Sequence, residues 1–476
     1  MNGLLICTNK MRWANFLHFY QPPTQKPFWV HKVTAEAYRP ILEGFSRNKE
    51  CKLTLNINGV LLELLDQYGE HDVLDLLRNL VSEGRIELTG SAKFHPLLPF
   101  MPEDEIIRQI RLNEETIRKY IGDSWQKRGF FPPEMGFDSR VGNIVRKLGY
   151  NWVIVDELSF PRDRRPMEHN TLYTMEDDFF IYFRERQMSW FILSGQVGTG
   201  NLLVQSLGNR LSTDEYLLTA MDGETFGHHR PGLQELLFEV YGQRGIEPVL
   251  ISDLPQFYSK RGKIEPVPST WALMEKDLEE RKPFSRWKDS DNIIQTKQWE
   301  LTEFAIDAMR KADPKALGYD KARGILDRAL HSDQYWWASA RPWWSIEMVE
   351  RGAKDLFMAV AAIPDVDEDT RKLAHRLYEQ IIFTAFDWQR EGIVDSLSKR
   401  EDEDIRQRTD HNMPSLPKEE LEKMIAKLQE EMESVAVKKE YERAAQIRDR
   451  IAELRRYQHG ASLQHMIKEG DKEWEG

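Results

Sequence analysis

Cysteine is nearly missing from this chain: Cys7 and Cys51 are the two in 476 residues. That excludes a framework of several disulfides and an all-cysteine zinc site, and it makes a reducing, cytoplasmic setting the expectation. Long apolar runs are missing too. No stretch of 18 apolar residues occurs, so no membrane-spanning helix is expected, and the opening MNGLLICTNKM is too short in its apolar part for a secretory signal and carries no charge ahead of it. Positive charge is in deficit: 66 lysines and arginines face 78 acidic residues, a formal net charge of −12. This balance argues against a whole-surface nucleic-acid binder, and basic and aromatic residues do not interleave along single segments as single-stranded nucleic acid would require. No repeat of solenoid period is visible. What is abundant is apolar and aromatic material, 41% hydrophobic and 11% aromatic with 14 tryptophans. That is enough for one large core, a second smaller unit and stacking surfaces besides.

Strand-like and helix-like patterns alternate through roughly the first 260 residues. WANFLHFY, from Trp13 to Tyr20, is a strand stopped by Pro22 and Pro23. KLTLNING ends in Asn58 and Gly59 and leads into helical patterns closed by Gly84, followed by the strand RIELTG. GFFPPEMG reads as a strand end and loop, NWVIVDE as a strand ending in Asp156 and Glu157, FFIYFRER as a strand, and EYLLTAMDGETFG as a strand running into an acidic glycine loop. Each polar motif falls where a strand gives way to a loop, the signature of a barrel or open sheet with its site at the C-terminal ends of parallel strands. Beyond PVPSTWAL the pattern is helical to about residue 400. KREDEDIRQRTDHNMPSLP then reads as a charged, proline-punctuated linker. In the last segment Leu421, Ile425, Leu428, Met432 and Val435, then Ala444, Ile447, Ile451 and Leu454, recur at helical spacing. This predicts two amphipathic helices with a turn near Lys438 and Lys439, a hairpin that must pack on itself, another copy or a partner.

Five clusters could carry chemistry. HFYQPP places His18, Tyr20 and Gln21 at a strand end, where a lone histidine is more often structural than catalytic. RIELTGSAKFHP brings Glu87 and His95 to either side of a small-residue loop, and a carboxylate ending an apolar strand is costly unless it pairs or binds something. Glu134 follows two stiffening prolines and is surrounded by Phe130, Phe131, Met135 and Phe137, too apolar for a purely solvated carboxylate. LLTAMDGETFGHH holds Asp222, Glu224, His228 and His229, donors that could equally bind a metal, although their spacing fits no strong metal motif. No metal or other cofactor is therefore expected. HSDQYWWASARPWW sets Asp333 beside Tyr335, Trp336, Trp337, Trp343 and Trp344, which suits sugar rings and would also suit a plain core. Paired carboxylates at separate strand ends with a tryptophan-rich rim point to cleavage or transfer of a glycosidic bond, where one carboxylate attacks and another protonates the leaving oxygen.

HFYQP, GRIELTG, FFPPEMGF, MDGETFG and HSDQYWW, in that order over residues 13 to about 345, resemble glycoside hydrolase family 57, the family of alpha-amylases, 4-alpha-glucanotransferases and glycogen branching enzymes. The resemblance implies an α/β fold, with an incomplete (β/α)7 TIM-like barrel over residues 1–265 and a helical region completing the active site over 266–400; the linker and the hairpin read from composition and spacing take up 401–415 and 416–457. It implies Glu134 as nucleophile and Asp222 as general acid/base of a retaining double displacement, with carboxyl groups about 5 to 5.5 Å apart. His18, Tyr20, Gln21, Glu87, His95, Asp333, Trp336 and Trp337 would hold an alpha-linked oligo- or polysaccharide. Three motifs depart from the family pattern: Tyr20 replaces a second histidine, FFPP replaces a tryptophan-containing approach to Glu134, and WWAS replaces a Trp-His-Gly stretch after Asp333. Alpha-glucan is the default substrate, with another alpha-linked sugar as the alternative.

The run YERAAQIRDRIAELR resembles the UVR motif of excision nuclease subunits and of some regulators of bacterial Clp proteases. It implies a protein partner or self-association through the hairpin. The competing expectation is a glycan-binding scaffold without turnover that recruits a partner through that hairpin; a repair accessory, motivated by the tail alone, sits poorly with the −12 charge.

Overall fold

A computed structural model of the chain describes residues 11–161, 166–176, 178–193, 199–341, 343–410, 418–437, 439 and 441–458. Seven parallel strands curl into an incomplete barrel: β1 (Met11–Phe19), β2 (Leu53–Ile57), β3 (Ile86–Leu88), β4 (Gly129–Phe130), β5 (Trp152–Asp156), β7 (Phe180–Arg184) and β8 (Tyr216–Asp222). Three more strands, β6 (Leu172–Thr174), β9 (Ile246–Val249) and β10 (Arg261–Lys263), complete the two sheets, with β9 beside β1 and β6 antiparallel to β7. The sheets meet at two thin seams. The bridge Gly90–Phe130 joins the end of β3 to β4, and the Glu185 amide donates to the Leu218 carbonyl at 2.8 Å, joining β7 to β8.

Strand alternation explains what fills the barrel. Ala14 and Phe16 of β1, Trp152 and Ile154 of β5, and Leu218 and Ala220 of β8 belong to one buried apolar cluster. One step further along each strand, toward its C-terminal end, the same alternation delivers His18, Asp156 and Asp222. The register pairs His18 with Asn56 on one side and with Asp222 on the other, so three strands contribute polar groups to one level. A polar layer thus sits directly on an apolar plug, the arrangement that puts sites at the C-terminal mouth of parallel barrels.

Beyond β10 the described residues form helices, among them Ile293–Lys311, Tyr319–Ala329, Ile346–Ala361 and Glu368–Arg390. Their core, with Trp287, Trp299 and Tyr335, is continuous with Val153, Val155, Ile181 and Phe183 on the outer face of β5 and β7. The expected linker gives way over its first half: Ile393–Asp410 is a helix, and Glu401 is 2% exposed and paired with Arg286 and Arg341. Glu401 reads as solvated because its partners are not nearby in sequence; Arg286 and Arg341, from elsewhere in the chain, pair with it. Residues 411–417 lie outside the described ones. The hairpin is present as Lys418–Val437 and Tyr441–Gln458, turning at Lys439, whose φ is 65°; Lys438 lies outside the described residues. Leu421, Ile425, Leu428, Ile447, Ile451 and Leu454 are buried in the same apolar cluster as the helices around β1 to β3, and Lys427 pairs with Glu239 of helix Leu233–Tyr241. The hairpin therefore packs both on itself and on the barrel.

Candidate active site

Four carboxylates converge at the barrel mouth. Glu134 follows β4 and the rigid pair Pro132-Pro133, in a single tight turn where its φ is 60° and that of Met135 is 48°. A left-handed glutamate and methionine in succession are costly for non-glycine residues and are held by the surrounding contacts. The Trp271 indole N–H donates to Glu134 Oε2 at 2.7 Å, and the Trp271 amide donates to the Glu134 carbonyl at 3.1 Å. On the other oxygen, Ser332 Oγ donates at 3.5 Å and His95 Nδ1 lies 3.6 Å away. The side chain is 16% exposed.

Asp222 ends β8, beside His18 in register. No side chain among the described residues donates a hydrogen bond to it, and its electrostatic neighbour is Arg184. Two residues on, Glu224 accepts from Tyr38 Oη, from Gln21 Nε2 at 3.4 Å and from the Tyr20 amide at 3.4 Å. Tyr38 reaches it because residues Thr34–Tyr38 form a π-helical turn, against whose Glu36 carbonyl Gly227 (φ 116°) packs so closely that a Cβ would lie 2.1 Å away. The Asp333 carboxylate accepts from Tyr20 Oη at 2.6 Å and lies 3.0 Å from His331 Nδ1.

The electrostatics follow from burial. Desolvation, then the charge of Asp333, lifts Glu134 to about 8; desolvation lifts Asp222 to about 7 against the pull of Arg184; desolvation and Asp222 lift Glu224 to about 8. Burial would raise Asp333 as well, but His331, His95 and the Tyr20 hydroxyl bring it below the usual carboxylate range. The raised groups take up protons as a set. Glu134 faces an indole N–H and a hydroxyl that stabilise its anion; Asp222 faces none. The donors on Glu134 offset part of the rise that burial imposes on it, and Arg184 does the same for Asp222.

Three histidines surround the cluster. His18 Nδ1 lies 2.8 Å from Asn56 Oδ1, whose own amide nitrogen donates to Thr89; His95 Nδ1 lies 3.0 Å from Ser332 Oγ; His331 Nδ1 faces the Asp333 carboxylate. Because Asn56 Oδ1 can only accept, His18 Nδ1 donates to it, and the Nε2 atoms of His18, His95 and His331 are buried without a partner among the described residues. Burial, reinforced by His95, holds His18 well below its ordinary value, and burial holds His95 at about 4. His95 stacks on Tyr20 at 4.0 Å and on His18 at 5.1 Å.

Of the residues singled out in sequence, His18, Tyr20, Gln21, His95, Glu134, Asp222 and Asp333 meet here. Glu87 does not join them: it lies one inward position below Thr89, where Ser252 Oγ donates to one oxygen, and its described partners are Thr54 and Ser252. Trp336 packs on Trp287 at 4.9 Å and Trp337 on Trp343 at 5.9 Å, so the described ring contacts of both are with other tryptophans. Trp271 and Ser332 were missed, as was the support behind Trp271. Asp156, fully buried, binds Arg184 at 3.1 Å and Arg186 at 2.6 Å, and these two guanidinium groups donate to the carbonyls of Trp271 and Leu273 at 3.2 and 2.8 Å. An acid at one strand end and two arginines closing the next were the available signal.

The sequence profile described as glycosyl hydrolase family 57 matches residues 10–265, more than half of the chain. The chain belongs to glycosyl hydrolase family 57. A second profile, the UvrB/uvrC motif, matches residues 422–457. Among family 57 relatives, the alpha-amylase of Pyrococcus horikoshii is 26% identical over 237 residues, 47% of this chain and 35% of that protein, so the chain spans about a third of that relative's length. The putative alpha-amylase of Methanocaldococcus jannaschii is 26% identical over 351 residues, 63% of this chain and 71% of that one. The fold is shared with the crystal structure of 4-alpha-glucanotransferase from Thermococcus litoralis, with a TM-score of 0.59 at 18% identity over 76% of this chain and 62% of that one. It is shared also with a family 57 branching enzyme from Pyrococcus horikoshii, with a TM-score of 0.59 at 15% identity over 79% of this chain and 97% of that one.

Proposed function

We propose that this family 57 protein cleaves or transfers alpha-linked glycans by a retaining double displacement, with Glu134 as nucleophile and Asp222 as general acid/base. The observation that carries the assignment is the unequal supply of donors: the Trp271 indole N–H points at Glu134 Oε2 and stabilises the anion a nucleophile needs, while Asp222 is buried with no side-chain donor among the described residues. Glu134 attacks the anomeric carbon as Asp222 gives its proton to the leaving oxygen; water or a sugar hydroxyl then opens the glycosyl ester with Asp222 as base. The Nε2 atoms of His18, His95 and His331, buried without a partner among the described residues, are available to hydrogen-bond sugar hydroxyls. Alpha-glucan is the substrate class that the names of the relatives favour. The test is product analysis after incubation with amylose, maltooligosaccharides, glycogen and aryl alpha-glycosides, with Glu134→Gln as the blank. Shorter or rearranged chains absent from the blank are expected; turnover by Glu134→Gln at the wild-type rate would remove this mechanism.

For the hairpin we propose a protein contact, either a partner or a second copy, made at its turn, where Val437 is 84% and Tyr441 67% exposed. Tyr441→Glu should abolish self-association or partner capture if that is so, and an unchanged complex would refute it. The buried, unpaired Cys51 supports a reducing compartment, and we place the reaction in the cytoplasm.

A further inference from the structure

The segment leaving the barrel mouth after Gln21 carries two adjacent aromatic rings that the chemistry above does not use. Phe28 is 59% exposed, at the start of helix Pro27–Val33, and meets Trp29 edge to face at 5.1 Å. Lys32 Nζ lies over both rings, 5.9 Å from one centroid and 5.4 Å from the other. The pair is continuous with the carboxylate cluster by two routes. Trp29 stands edge-on to His228 at 6.3 Å, and His228, six residues after Asp222 on the same loop, is held by Glu36. Amide side chains make the second route: Gln21 Nε2 donates to Glu224, Gln25 Nε2 donates to Gln21 Oε1 at 2.8 Å, and the Lys26 amide donates to Gln25 Oε1 at 2.9 Å, one residue before the helix. The segment is anchored on its far side as well. Lys26 pairs with Glu347 at 3.4 Å, and Arg351, paired with the same glutamate at 2.7 Å, donates to the Thr24 carbonyl at 3.4 Å.

In a double displacement the nucleophile and the acid/base stand on opposite sides of the scissile bond, so the leaving sugar, and later the acceptor sugar, lies on the side of the acid/base. Gln21, Glu224 and His228 cluster with the Asp222 loop, whereas His95, Ser332 and Trp271 cluster with Glu134. The segment that carries the aromatic pair is therefore joined to the acid/base side of the cluster. An exposed aromatic face next to amide side chains is what a sugar ring requires, its C–H face stacking while its hydroxyls find donors and acceptors.

We propose that Phe28 and Trp29, with Gln25 beside them, form an acceptor subsite for a glucosyl ring, and that occupancy of this subsite decides how often a sugar instead of water opens the intermediate. The step is a simple exchange: a hydroxyl of the seated sugar attacks the anomeric carbon, its proton passes to Asp222, and the bond to Glu134 breaks to return the carboxylate. The inference rests on the proposed function.

The test uses the full chain, an aryl alpha-maltooligosaccharide as donor and maltose as acceptor. Released phenol counts every turnover and chromatography counts transfers, so the transferred fraction is independent of how fast the intermediate forms. In Phe28→Ala the maltose concentration giving half-maximal transfer should rise about tenfold, the loss of one stacking contact, and Phe28→Trp should restore it. An unchanged half-saturation in Phe28→Ala, or phenol release by the wild type with no transfer at any maltose concentration, overturns the subsite alone. Absence of phenol release from every alpha-glycoside by the wild type overturns the proposed function and the subsite together.

Discussion

Replacing Trp271 by phenylalanine isolates one hydrogen bond at the centre of the proposed chemistry. The indole lies edge-on to His18 at 5.7 Å and beside Phe131 at 5.6 Å, so a phenyl ring keeps much of that packing, while the 2.7 Å N–H bond to Glu134 Oε2 is lost. A hydrogen bond to a charged acceptor is worth about 1.5–3 kcal/mol, and about 1.4 kcal/mol corresponds to one pH unit. The bond favours the anion, so its loss should move Glu134 upward by about one to two pH units. At neutral pH the population with Glu134 ionised would then fall roughly 10- to 100-fold, and kcat/KM with it. The assay is the pH dependence of kcat/KM on an aryl alpha-glycoside for both proteins, with thermal melts to confirm that the variant is folded. The acid limb should move to higher pH in Trp271→Phe while the rate at high pH recovers toward wild type. An acid limb that stays in place in a folded variant would refute the idea that Trp271 prepares Glu134 as an anion.

The same carboxylates should cost stability. Glu134 is lifted from 4.5 to about 8, so the fold favours its neutral form; that contribution is complete below about pH 4.5 and is lost as pH rises through 8. Glu134→Gln should therefore melt higher than wild type at pH 8.5 and nearly with it at pH 4, and equal differences at both pH values would contradict the burial argument. Asp156→Ala should strand Arg184 and Arg186 without their shared carboxylate and destabilise by about 3–5 kcal/mol in urea titration; because these arginines hold the carbonyls of Trp271 and Leu273, kcat/KM should fall as well. Glu401→Ala should destabilise measurably in urea titration by leaving Asp277 as the remaining described carboxylate partner of the buried Arg286, whereas a solvated linker residue would cost nothing measurable.

Sequence alone determined most of the scaffold, because strand alternation and helix periodicity are local properties that neighbouring residues announce. It placed His18 and Asp222 at strand ends, where the register later set them side by side, and it found Glu134 by the mismatch between a carboxylate and the phenylalanines around it. Length and spacing likewise disclosed the hairpin. Tertiary structure decided what depends on residues far apart in the chain. Glu87 ends a strand as convincingly as Asp222 does, yet β3 is short and the pleat leaves it one level down, bound to Ser252. Trp336 and Trp337 adjoin Asp333 in sequence, but a helical turn directs their described contacts to Trp287 and Trp343. Trp271 looks like a boundary residue until two arginines, anchored by Asp156, hold its loop against Glu134. The charged run at Glu401 looked solvated for the same reason: the energy of a buried ion pair belongs to both partners, and only the fold brings Arg286 and Arg341 to it.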